Sequence, residues 1–172
     1  MAFQNNGVKR VKIYIAGPMF IESQILYNLT LAQDIRQLGF DVYCPNENAE
    51  INDKTRADIT GQKIYEHDID EILTSNILLC QVADCPGTMW EAGYMDCLSK
   101  NVDSSRYLGV IGLCTDIRLQ TAPDLRKPSY DNQTMYLNQF MVGGLKMSLG
   151  VCTNRPALFS ELGKLKAEFK LD

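Results

Sequence analysis

Asn76-Ile77-Leu78-Leu79-Cys80-Gln81-Val82 runs directly into Ala83-Asp84-Cys85-Pro86-Gly87-Thr88, and the stretch 88–98 that follows has helical period. An apolar run without polar alternation, closed by a Pro-Gly turn and a helix, is the signature of a strand buried on both faces. The same alternation extends outward in both directions. Strands are predicted at 11–15, 41–44, 76–82, 108–113 and 149–152, and helices at 24–38, 58–73, 88–98 and 156–169, with Gly39 as the C-cap of the first. This order predicts one α/β domain over 1–172. Its plan is a flavodoxin-like five-stranded parallel sheet with helices on both faces, and residues 1–10 form a poorly ordered tail.

In such a sheet the ligand crevice lies beyond the carboxyl ends of the strands, where the winding direction reverses. The loops to inspect are therefore 16–22, 45–53 and 83–90. The polar stretch 115–136, interrupted by Pro123 and Pro128, is long enough to be functional or disordered.

Bulk properties narrow the function. A chain of 172 residues, 45% hydrophobic, can bury a full core without staples. A net charge of -4 and a pI near 5.0 give no attraction to nucleic acid polymers or anionic membranes. The six cysteines are dispersed and sit mostly in apolar runs, as reduced core thiols do. With no secretory h-region and no membrane-length apolar segment, a cytoplasmic location is expected. His67 is the sole histidine and has no ligand partners at metal spacing, so neither a metal nor a cofactor is expected.

Two carboxylates flank the third loop. Glu91 is open to two readings. In one, Thr88-x-x-Glu91 is a capping box and the carboxylate only bonds back to the Thr88 N–H. In the other, the positive helix end keeps Glu91 ionised in the crevice, ready to attack an anomeric carbon. Asp68, among acidic neighbours, matters only if its helix turn abuts the crevice. Gly17 would let backbone approach a ligand closely. Met19 and Phe20 offer a stacking surface for a planar base or, equally, core.

Together Ile13-Tyr14-Ile15-Ala16-Gly17-Pro18-Met19-Phe20, Asp68, and Asp84 through Gly87-Thr88-x-Trp90-Glu91-x-Gly93-Tyr94 resemble the nucleoside 2-deoxyribosyltransferase family, over residues 12–151. The resemblance implies exchange of purine or pyrimidine bases on 2-deoxyribose by a retaining double displacement. In it Glu91 is the nucleophile, Tyr14 its hydrogen-bond partner, Asp68 the acid near the sugar hydroxyl and Asp84 the acid that moves the leaving base's proton. Phe20, with Asn46, Glu47 and Asn48, falls at the base, and Gly87 in the loop beside it. It further implies a homo-oligomer in which the segment of Asn138, Phe140 and Met141 completes a neighbour's site. Read from spacing alone, Leu137, Phe140, Met141, Gly144 and Leu145 form one apolar helix side.

Two other readings remain. A deoxynucleoside 5'-phosphate hydrolase in the same fold holds the phosphate typically with Ser and Arg in loop one and after strand four, and loop one here is Gly17-Pro18-Met19-Phe20, with neither. A flavodoxin-like binding module follows if Glu91 is only a cap.

Overall fold

The computed structural model describes residues 10–117 and 137–169. The predicted tail, except Arg10, and most of the long polar segment lie outside them. The order is β1 (Lys12–Ala16), α1 (Glu22–Gln37), β2 (Asp41–Tyr43), a 3-10 turn (Pro45–Glu47), α2 (Ala49–Asn52), α3 (Gly61–Thr74), β3 (Ile77–Gln81), α4 (Pro86–Asn101), β4 (Gly109–Leu113), α5 (Gln139–Lys146), β5 (Val151–Cys152) and α6 (Arg155–Phe169). All strand pairs are parallel, in the order β2-β1-β3-β4-β5. This is the flavodoxin-like plan the sequence predicts, with its reversal between β1 and β3.

Strand alternation divides the core. Ile13, Ile15, Ile77, Leu79, Ile111 and Leu113 pack with Leu31 and Ile35 of α1 and with Leu158 and Leu162 of α6. Tyr14, Ala16, Leu78, Cys80 and Val110 face Ile72 of α3, Met95 and Leu98 of α4, and Leu145 of α5. Each fully buried Ile or Leu contributes about 1.5–3 kcal/mol. Polar Tyr14 thus lies in the middle of the α3/α4 face.

Several boundaries move for local reasons. Helix α4 starts at Pro86, two residues earlier than predicted, because proline's fixed φ suits the first helical position. Thr88 is then the third residue, buried at 2% exposure, and Glu91 the sixth, so the Thr88–Glu91 capping box does not form. Helix α3 starts at Gly61 rather than 58, since Thr60 Oγ1 accepts from the Lys63 N–H at 3.2 Å while Asp58 pairs with Arg56 and Lys63. Gly39, at φ +94°, closes α1 as predicted. Strand β5 shrinks because Gly150, at φ +91°, turns its N–H back to Leu145 O.

Candidate active site

Glu91 lies in the second turn of α4, facing Tyr14 of β1. The Tyr14 hydroxyl donates to Glu91 Oε1 at 2.8 Å. Asp68, half-buried on α3, stands against the same pair, and its Oδ1 is buried without a hydrogen-bond partner. Burial pushes Glu91 up to about 7; the Tyr14 hydrogen bond opposes that rise and the Asp68 charge adds to it. The helix end therefore does not hold Glu91 in the ordinary carboxylate range. The sixth helical residue is beyond the first turn, where the dipole acts, and desolvation wins. Burial, then the charges of Glu91 and Asp68, raise the Tyr14 phenol far above its ordinary range, so Tyr14 keeps the proton in this bond. Asp68 is also raised, chiefly by burial, with the Tyr14 hydroxyl pulling it back.

Behind this trio sit two residues the sequence reading missed. Tyr43 stacks on Tyr14 with centroids 5.2 Å apart, and the His67 ring tilts against Tyr43 at 5.9 Å. Asn48 Nδ2 reaches His67 Nε2 at 2.9 Å and the Tyr43 hydroxyl at 3.4 Å. Tyr43 enters through register, which pairs it with Tyr14 across the β1/β2 ladder and which the strand pattern alone does not give. His67 carried no signal beyond its adjacency to Asp68.

The first loop is held by amides. Buried Asn28 donates to Pro18 O at 3.0 Å and to Asn46 Oδ1 at 2.8 Å, and accepts from Gln81 Nε2 at 2.6 Å. Asn46 in turn donates to Met19 O at 3.2 Å. Gly17 makes room within the protein: a Cβ there would meet Gln81 Nε2 at 2.5 Å. Phe20 projects into solvent at 74% exposure. Glu47 faces outward in an ion pair with Arg36 at 2.6 Å, and Asn48 spends its Oδ1 on the Glu50 N–H at 2.9 Å. Gly87 is exposed at the start of α4.

Asp84, exposed at the β3 exit, borders a cleft of about 540 Å³ with Pro18, Gln24, Tyr27 and Gln81, on the α1 side of the sheet. Asn138, Phe140 and Met141 border a second hollow of about 800 Å³, between α4 and α5, with Met89, Ala92 and Leu145. Neither cavity is lined by Glu91. The Asn138 Oδ1 caps α5 by accepting from the Phe140 and Met141 N–H groups at 3.0 and 3.2 Å. Leu145 packs inward, with Leu137 and Met141 against the same cluster, whereas Phe140 is 93% exposed. The predicted single apolar side thus splits, because Phe140 lies one residue before Met141 and so on a different helix face. Among the described residues no three or more His, Cys, Asp or Glu side chains are grouped to hold a metal. No helix among them is long and apolar enough to cross a membrane.

The doubly wound sheet carries a half-buried, tyrosine-bonded glutamate by its winding reversal, and the family match makes the protein an α/β enzyme of glycosyltransferase-like type. The family model for nucleoside 2-deoxyribosyltransferase matches residues 13–152, and the chain belongs to that family. A conserved protein from Enterococcus faecalis V583 superposes with a TM-score of 0.75 at 31% identity, covering 91% of this chain and 99% of that one. The 2-deoxyribosyltransferase of the psychrotolerant bacterium Bacillus psychrosaccharolyticus shares the fold, with a TM-score of 0.54 at 21% identity over 78% of this chain and 82% of that one. An uncharacterized protein of Ureaplasma parvum serovar 3 is 28% identical over 165 residues, 90% of this chain and 95% of the relative.

Proposed function

We propose that this protein transfers the 2-deoxyribosyl group between nucleobases by a retaining double displacement through Glu91. The observation that carries the reading is the Tyr14 to Glu91 hydrogen bond of 2.8 Å at the β1/β3 reversal, beside Asp68. Tyr14 holds Oε1, which leaves the other carboxylate oxygen to attack C1'. The C1'–N bond breaks, the base departs with the bonding electrons, and Asp84 supplies its proton. A nitrogen of the incoming base then attacks C1' of the deoxyribosyl ester and gives its proton back to Asp84, and Glu91 is released as carboxylate. Two inversions give net retention.

Asp68 lies next to the nucleophile, where it can take a sugar hydroxyl. Met19 and Phe20 provide the stacking surface for the base, with loop one held in place through Asn46. The segment of Asn138, Phe140 and Met141 completes the site of a neighbouring copy in a homo-oligomer. Absence of Ser and Arg from Gly17-Pro18-Met19-Phe20 favours nucleosides over 5'-phosphates.

Chromatography of the protein incubated with one deoxynucleoside and a different free base tests the reading. A new deoxynucleoside, absent with ribonucleoside donors and absent with Glu91→Ala, is the expected result. Base release without exchange would replace transfer by hydrolysis. No reaction with any donor would end the assignment.

A further inference from the structure

The hydrogen bonds around His67 fix its chemical form. Asn48 Oδ1 is committed to the Glu50 N–H at the start of α2, so the amide nitrogen must be the atom that faces His67 Nε2 at 2.9 Å. An amide NH2 group only donates, and Nε2 therefore has to accept. The single ring proton then sits on Nδ1, which faces the Tyr43 hydroxyl oxygen at 3.4 Å. A second proton on the ring would set N–H against N–H at Asn48.

The neighbours of this ring belong to the catalytic trio or touch it. Asp68 is the next residue on α3. Tyr43 stacks on Tyr14, the donor to Glu91. Asn48 belongs to the segment 45–53, which follows β2. The other charged groups about this corner are the Lys12–Glu71 pair at 2.6 Å and Lys54, whose charge reaches Asp68.

We propose that His67, as the neutral Nδ1–H tautomer, is a positioning residue that locks the 45–53 segment and the Tyr43–Tyr14 stack onto α3, holding Asp68 in register with Glu91. The inference rests on the assignment of Glu91, Tyr14 and Asp68 to the reaction. His67 touches no reacting atom; it acts through Asp68 and Tyr43.

Because the chain has one histidine, long-range proton–nitrogen NMR on the intact protein reports the tautomer without assignment. The expected spectrum shows a protonated Nδ1 and a bare Nε2, reverting to tautomer exchange in Asn48→Ala. In exchange assays His67→Ala is expected to lose about ten- to hundredfold in kcat/KM, with kcat falling as Asp68 drifts and KM rising as the segment loosens. His67→Gln presents a carbonyl oxygen to Asn48 and cannot be protonated. It is expected to restore kcat and KM close to wild type.

An Nε2–H tautomer in wild type overturns the inference, as does an active wild type matched by an equally active His67→Ala. A wild type inert toward all deoxynucleosides overturns the Glu91 assignment and this inference with it, which sets that result apart from the other two.

Discussion

Two effects of opposite sign act on the Glu91 carboxyl, the nucleophile of the proposed reaction. Burial raises it to about 7, and the Tyr14 hydroxyl restrains that rise. Tyr14→Phe removes the restraint, so Glu91 must deprotonate at higher pH. The acid limb of kcat/KM is expected to move upward, and the rate at pH 7 to fall about ten- to hundredfold, the worth of a hydrogen bond to a charged group. A limb that stays in place would show that Tyr14 does not tune Glu91.

The same residue affects stability. A carboxyl whose folded pKa is raised favours folding fully below its unfolded value of 4.5, and that advantage is lost as pH climbs through about 7. Glu91→Gln does not titrate, so its stability relative to wild type should grow by about 1–3 kcal/mol between pH 5 and 8, read by denaturant melts at both pH values. At this scale the sequence disclosed which side chains come together better than the environment they meet. Tyr14, Asp68 and Glu91 were nominated and stand together, but the ionisation of Glu91 was misjudged, because burial depends on what packs over a carboxyl and not on its place in a helix.

At the scale of elements, two amide side chains fasten loop one to the sheet. Gly17 owes its identity to Gln81, whose side chain fills the space a Cβ would occupy. Gly17→Ala must push Gln81 off Asn28, at a cost of about 1–3 kcal/mol. Thermal melts should show a lower Tm, and Gln81→Ala should cost less in that background than alone, since the two changes break one contact. Strictly additive losses would refute the coupling. None of this was legible in sequence, because Asn28, Asn46 and Gln81 come from three separate elements. The start of α4 was misplaced for a similar reason. Two capping signals compete in Cys85-Pro86-Gly87-Thr88, and the proline at the first helical position prevailed over the Thr88 hydroxyl. What could be read was the helix-strand alternation, since burial on both sheet faces leaves unbroken apolar runs such as Ile77-Leu78-Leu79-Cys80.

For the whole molecule, the parallel order β2-β1-β3-β4-β5 sets the β1 and β3 exits side by side, and α4 and α5 border a hollow. Phe140 and Met147 border that hollow at 93% and 77% exposure, an apolar display suited to a second copy of the chain. On the proposed homo-oligomer and exchange reaction, Phe140→Asp is expected to give a monomer in light scattering and to lower exchange activity. The monomer's Tm should scarcely change, because the side chain is already in solvent. An undiminished oligomer would place the subunit contact elsewhere.

The central claim is a covalent deoxyribosyl group on Glu91. Rapid acid quench of the protein with a deoxynucleoside and no acceptor, followed by peptide mass mapping, measures it directly. The expected result is a mass increase of one deoxyribosyl group on the peptide containing Glu91, disappearing when an acceptor base is added and never formed by Glu91→Ala. Turnover of the deoxynucleoside with no adduct, or an adduct on another residue, would contradict the double displacement through Glu91.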